Sequence, residues 1–340
     1  MQEHDPRDFS EAEQPISASE IPPAADPVAV ASWRQAVASW RQATAAESLL
    51  HPVGFAFLLV LVTFVAYQVF GGLITYWLFG LETGKHIAGV RAVTVVSQLL
   101  FLLLPVVILL RFLGWKVREV LRFHMPKLLP LLVVIVSVIA LQFVVQAWVE
   151  LQQFVMRQYL LPDFLIPILD TFEKLLEELY GQLLAMNTPV EAIAVWFVVA
   201  LTPAICEEVL FRGAVQYSFE KKMRLRWAFL LSGAIFSFFH LNPVTFIPLA
   251  LLGTYFSVIT WRGNSLGYAV AAHATNNTIA VVAIYFFKSE NLLPPETASG
   301  APSLVTYALS GTIALIIFAA CVVYFWTLTR PEQPDLSTVH

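Results

Sequence analysis

The sequence predicts an all-α fold, a polytopic transmembrane bundle of about eight helices. Three observations predict it. The 340 residues are 58% hydrophobic and only 13% charged, about half the charged share of an ordinary soluble domain. Mean hydropathy is +0.71. The apolar residues also fall in runs of roughly 20, long enough as helix to cross a hydrocarbon core of about 30 Å.

The first 26 residues are polar, acidic and Pro-rich, without the apolar stretch of a secretory signal, and read as a disordered tail. A short repeat follows, Ala31–Val37 and Ala38–Thr44, each containing Ser-Trp-Arg-Gln-Ala. Trp33, Val37 and Trp40 share a helical face with Arg34 and Arg41 beside it, which fits an interfacial helix or a solvated linker. Spans are expected near 53–80, 87–110, 128–149, 189–211, 227–242, 244–261, 265–287 and 303–328. The fifth and sixth are short and separated by Asn242-Pro243, as in a tight pair. Between the third and fourth, 150–187 mixes Leu and Ile with Glu173, Glu177 and Glu178, as an amphipathic helix outside the hydrocarbon would. The chain thus divides into a cytoplasmic tail (1–47), an N-terminal membrane region with the amphipathic segment (48–186), a core (187–287), and a last helix with its tail (288–340).

Loop charge sets the expected orientation. Arg111, Lys116, Arg118, Arg122 and Lys127 lie between the second and third spans, and Lys221, Lys222, Arg224 and Arg226 follow the fourth. Arg262 follows the sixth, and the alternate loops are poor in Lys and Arg. The positive-inside rule then places both termini in the cytoplasm of a cell-membrane protein. A net charge of −4 without a basic run gives no footprint for nucleic acid. Cys206 and Cys321 both lie in apolar runs, so no disulfide framework is expected.

Ionisable groups inside spans are costly and by default mark function. Glu207 and Glu208 sit in the fourth span, followed by Arg212. Of seven histidines, His240 and His273 fall in apolar segments, and Asn277 follows His273 by one helical turn. Each has a plainer reading. Glu208 and Arg212 are spaced i, i+4 and can pair near the interface. The histidines and Asn277 can hydrogen-bond helix to helix, and Arg91, Gln98, Gln142 and Gln146 read as packing groups of this kind. Pro203 frees a carbonyl and bends the fourth helix. Cys206 reads as a small apolar filler.

Together the residues suit attack by water on a carbonyl. A carboxylate taken out of water holds a proton more strongly and serves as a general base near neutral pH. A histidine on the same water orients it, and donors on one helix face stabilise the oxyanion. Depth stands against a single site. Counted at about 1.5 Å per residue from the nearest arginine, Glu207 lies about 8 Å deep, His273 about 16 Å and His240 about 21 Å.

The chain resembles the CPBP family, the CAAX-protease and bacteriocin-processing membrane proteins. Glu207-Glu208-Val-Leu-Phe-Arg212 matches its EExxxR motif, Phe236-Ser-Phe-Phe-His240 its FxxxH, and His273-Ala-Thr-Asn-Asn277 its HxxxN. The resemblance covers about 187–287. It implies an intramembrane endopeptidase like the type II CAAX prenyl protease, acting on a membrane-embedded or lipidated protein or peptide. In that reading Glu207 is the general base, His240 positions the water, His273 and Asn277 form the oxyanion site, and Glu208 and Arg212 support the helix end. No cofactor is expected, although Glu207, His240 and His273 could ligate zinc; HExxH is absent. The alternatives are a non-catalytic scaffold or bacteriocin-immunity protein of the same family, and a proton-coupled transporter.

Overall fold

The structure, a computed structural model, describes residues 51–80, 83–287 and 303–329. The expected tail and interfacial helix within 1–47, and the tail after residue 329, lie outside the described residues. Those described form nine principal helices and no strand. They are α1 (Pro52–Phe79), α2 (Thr83–Phe112), α3 (Leu128–Leu160) and α4 (Ile166–Leu184). Then come α5 (Pro189–Glu220), α6 (Leu225–Phe239), α7 (Phe246–Gly263), α8 (Leu266–Phe287) and α9 (Leu304–Leu328).

Six of them, α1, α2, α3, α5, α8 and α9, are long and apolar enough to cross a membrane, so the chain is a multi-pass helical membrane protein. Helices stand at all eight expected positions, but α6 and α7 are not among the six. α6 is apolar but only 15 residues long. In α7, Gly253, Thr254, Ser257 and Thr260 lower hydropathy in exchange for close packing. A Cβ on Gly233 would stand 2.5 Å from the Ala250 carbonyl oxygen and 2.6 Å from the Thr254 nitrogen. A Cβ on Gly253 would meet Gly233 Cα at 2.9 Å. The two helices therefore touch backbone to backbone. Their connecting turn reaches the end of α3, where Gln152 Nε2 donates to Val244 O at 2.7 Å.

α5 is the centre of the bundle. Of its most apolar 18 residues 61% are buried, against 17–33% in the other five long helices. It starts at a capping box: Thr188 Oγ1 accepts from Glu191 N at 3.2 Å, Glu191 Oε2 accepts from Thr188 N at 3.3 Å, and Pro189 opens the first turn. Its C-terminal half packs with α1, α2 and α6 around Leu59, Leu102, Leu210, Phe211 and Phe236. A second core joins α3, α7, α8 and α9 around Val134, Val138, Phe256, Ala272 and Phe325.

The amphipathic segment between the third and fourth long helices is α4, as its pattern of Leu and Glu predicts. Arg157 at the end of α3 holds it, reaching Asp170 at 2.6 Å and Glu173 at 2.7 Å. Arg91 of α2 grips its other end through Leu183 O (3.1 Å) and Ala185 O.

The α6–α7 crossing generates a stability prediction. Gly233→Ala places a methyl against backbone that cannot step aside, and an overpacked site of this kind costs about 1–3 kcal/mol. Gly72→Ala on α1 meets no atom within 4 Å. Thermal unfolding of the detergent-purified protein should show a lowered Tm for the first and none for the second. An unchanged Tm for Gly233→Ala would contradict the close approach.

Candidate active site

The site is built where α5 departs from regular α geometry. Two π-helical turns, Phe197–Leu201 and Val209–Val215, flank the α-helical segment Thr202–Glu208. Such turns add a residue to the helix and occur often at functional positions. Pro203 accounts for the first, because it has no N–H to return to the carbonyl of Val199. Two side chains attend to the loosened turn. Thr202 Oγ1 donates to Phe197 O at 2.8 Å, and Asn277 Nδ2 of α8 donates to Val199 O at 2.8 Å.

The two adjacent glutamates face different surroundings. Glu208 is fully buried, and one of its oxygens, Oε1, accepts from Arg212 Nη1 at 2.8 Å and from His273 Nδ1 at 2.8 Å. Arg212 is equally buried. Its Nη2 donates to Gly253 O at 3.1 Å, and its guanidinium lies 4.3 Å from the Phe236 ring centroid and 5.2 Å from that of Phe256. The pair is thus no interfacial salt bridge, contrary to the plainer reading of its spacing. It is a desolvated cluster that joins α5, α7 and α8.

Glu207 is 9% exposed, and its Oε2 is buried without a hydrogen-bond partner. Its near neighbour is His240 Nε2 at 3.8 Å, beyond direct hydrogen bonding. His240 caps the end of α6, and its Nδ1 lies 2.8 Å from Phe236 O. A carbonyl only accepts, so Nδ1 carries the proton, and a neutral His240 presents Nε2 to Glu207 as an acceptor. A phenol also stands close. Tyr180 of α4 is pushed above the ordinary tyrosine range, first by burial and second by the Glu207 carboxylate. Tyr180 also lines a cavity of ≈ 420 Å³ under α4, with Asn242 and Thr245 of the α6–α7 turn on its opposite side.

Five of the six site residues picked out by the sequence therefore meet, in two groups: Glu207 with His240, and Glu208 with Arg212 and His273; Asn277 bonds Val199 and Asn276 instead. The depth conflict disappears because its reference was wrong. Arg212 lies inside the protein, and α5 continues to Glu220. Measured from Glu220, Glu207 is about 20 Å along the helix, close to the value for His240. One expectation needs correction. His273 and Asn277 do not stand side by side as free donors. His273 turns to Glu208, and Asn277 gives one N–H to Val199 while its Oδ1 accepts from Asn276 Nδ2 at 2.9 Å. Among the described residues no three His, Cys, Asp or Glu side chains are placed to hold a metal ion, so Glu207, His240 and His273 do not form a zinc site as they stand. The sequence reading missed Tyr180, which no local pattern marks: it comes from α4, across the cavity from Asn242 and Thr245.

Comparison with protein families finds one match. Residues 189–279, the segment that carries the three motifs, match the family described as Type II CAAX prenyl endopeptidase Rce1-like. Comparison with curated proteins and with solved structures finds no match.

The Pro203–Asn277 arrangement is testable by a double-mutant cycle. Asn277→Ala leaves the Val199 carbonyl unserved and should lower unfolding free energy by about 0.6–2 kcal/mol. In a Pro203→Ala background the backbone N–H is restored, and the loss should shrink. Equal losses in both backgrounds would separate the two residues.

Proposed function

We propose that the chain is an intramembrane endopeptidase that hydrolyses a peptide bond in a membrane-embedded or lipidated protein or peptide. The observation that carries this reading is the buried Glu207 carboxylate oxygen, unpartnered and 3.8 Å from an imidazole nitrogen that accepts. A water between the two gives one hydrogen to Glu207 and one to His240 Nε2, which directs its lone pair at an incoming carbonyl carbon. Glu207 takes the proton as the new C–O bond forms, then returns it to the amine nitrogen as the C–N bond breaks. His273 and Asn277 are assigned to the oxyanion side. Asn277 has a second N–H, and His273 keeps its Nε2 edge clear of the Glu208 contact.

Glu208 is unsuited to the base role. Its Oε1 already receives two hydrogen bonds and the residue is fully buried, whereas Glu207 is 9% exposed beside His240. Its role in this reading is to hold Arg212 and orient His273. We also assign no metal to the reaction: among the described residues no three His, Cys, Asp or Glu side chains are placed together to supply the protein ligands a catalytic zinc needs.

The family match says proteolysis but not the cut. The experiment is comparative proteomics of membranes holding the wild type or Glu207→Gln, followed by assay of the purified proteins on a peptide spanning the wild-type-specific cut. Glu207→Gln keeps size and should lose at least about 100-fold in rate while remaining folded. Glu208→Gln should retain more activity. Chelation should leave the wild type active and free of stoichiometric metal. Activity in Glu207→Gln, or zinc-dependent loss and recovery, would overturn the assignment; a folded wild type that cuts nothing would favour a scaffold or immunity role.

Orientation follows loop charge: both termini are proposed to be cytoplasmic. Arg118→Cys and Lys222→Cys, each in a chain lacking Cys206 and Cys321, should resist an impermeant thiol reagent in intact cells and react after permeabilisation. Both positions are exposed. Labelling in intact cells would reverse the topology.

A further inference from the structure

Three side-chain amides and a backbone carbonyl form a directed chain from α3 across α8 to α5. Gln142 of α3 donates from Nε2 to Asn276 Oδ1. Asn276 donates from Nδ2 to Asn277 Oδ1 at 2.9 Å. Asn277 donates from Nδ2 to Val199 O at 2.8 Å. Gln142 stands about 21 Å along α3 from Leu128, well inside the span. The direction of the chain is anchored at Val199. A backbone carbonyl only accepts, so Asn277 must turn Nδ2 toward it. Asn277 Oδ1 is then left for Asn276, which must present Nδ2 and keep Oδ1 for Gln142. Gln142 in turn must present Nε2.

The two ends of a carboxamide have nearly the same size and opposite polarity, so packing alone does not choose between them. At Asn277 the choice bears on the chemistry. With Nδ2 turned to Val199, its second N–H is a donor for the carbonyl oxygen of a substrate. Turned over, the residue would offer a lone pair to an oxygen that is gaining charge. A hydrogen bond accepted at Asn277 Oδ1 also draws charge from its nitrogen and strengthens the remaining N–H as a donor. Glue between helices, the plainer role for Gln142, needs only one bond from α3 to α8. Here the bond continues through a second amide to Asn277, on the turn of α8 that follows His273.

Resting on the hydrolytic reading above, in which Asn277 serves the oxyanion, we propose that Gln142 and Asn276 are positioning residues for the reaction. They hold the Asn277 amide with its nitrogen toward Val199 and the substrate, and they polarise the N–H that meets the carbonyl oxygen. Both act through Asn277 alone. Gln142 lies outside 189–279, the segment that carries the three motifs, so the relay brings α3 into the chemistry of α5 and α8.

The test uses the full chain and the peptide that spans the wild-type-specific cut, in a double-mutant cycle read in kcat. The variants are Gln142→Met, Asn277→Ala and the two combined, with Glu207→Gln as the inactive control. Gln142→Met keeps the length of the side chain and removes the amide. It should lower kcat by about 10-fold with KM near the wild-type value. Asn277→Ala should lower kcat by about 100-fold. In the Asn277→Ala background, Gln142→Met should have no further effect on kcat, because the group it positions is gone. A packing role would instead lower Tm in both backgrounds and leave kcat of the folded protein unchanged. Wild-type kcat in Gln142→Met, or an equal loss in both backgrounds, overturns this proposal and leaves the protease reading intact. Asn276→Ala breaks the same relay from α8 and should reproduce the kcat loss. It decides if Gln142→Met does not fold, and unchanged kcat there refutes the positioning. If cleavage by Asn277→Ala is too slow to measure, Gln142→Met alone decides. Wild-type kcat in Asn277→Ala removes the oxyanion assignment and this proposal together, while an inactive Glu207→Gln keeps the base. No cleavage by the wild type removes all of these readings.

Discussion

An arginine wholly out of water sets the terms for the rest of this structure. A guanidinium in such a place is tolerable only if its charge and its N–H groups are answered, and removing one partner of a buried ion pair costs about 3–5 kcal/mol. Arg212 is answered from three directions, with Nε–H alone left unpaired. Glu208, four residues back on α5, supplies the counter-charge; Gly253 of α7 supplies a carbonyl; Phe236 and Phe256 cover its faces. Each answer fixes a helix. Gly253 has to lack a side chain for α7 to come this close, since a Cβ there would sit 3.2 Å from Arg212 Nη2. Phe236 lies one helical turn before His240, so the residue that stacks on the arginine also aims the histidine. His273 completes the set by bonding the same carboxylate oxygen as Arg212. This knot thus ties α5, α6, α7 and α8 together around Arg212 and Glu208.

Backbone irregularity is the second device, and it depends on the first. π-helical turns occur in α1, α2 and α5, and those of α5 bracket Glu207. In a bilayer an unserved carbonyl is costly, so a loosened helix needs partners from its neighbours. Asn277 acts in this way for Val199. Its amide therefore has a structural duty in addition to any part in catalysis, and a loss of activity in an Asn277 variant would not by itself identify an oxyanion donor.

The sequence made some of this legible and hid the rest for physical reasons. Apolar runs showed where helices lie, because burial in lipid demands long uninterrupted stretches. Glu207, Glu208, His240 and His273 stood out because ionisable groups there have no bland explanation in composition. Arg212 misled the estimate of depth. Reading it as the cytoplasmic end of its span assumed that an arginine must reach water, whereas here it is neutralised internally. Tyr180 gave no signal. A phenol is ordinary in such a helix, and its place across a cavity from Asn242 and Thr245 is a nonlocal fact. The shortness of α6 and α7 was visible, but their backbone contact at Gly233 and Gly253 was not.

Two neighbouring glutamates with opposite duties follow from helix geometry. Residues adjacent in a helix point about 100° apart, so a pair on the buried helix α5 must enter different environments. One of them, Glu208, meets a guanidinium and an imidazole N–H through Oε1 and leaves only its deeply buried Oε2 without a partner. The other, Glu207, meets an accepting imidazole at 3.8 Å and no donor close enough to satisfy its Oε2. In the proposed reading that carboxylate is the general base. Without Glu208 the arginine is uncompensated and the α5–α7–α8 junction loosens; without Glu207 the junction stands and, in the proposed reading, the base is gone. Stability and chemistry are thereby placed on consecutive residues, each shielded from the other by the turn of the helix.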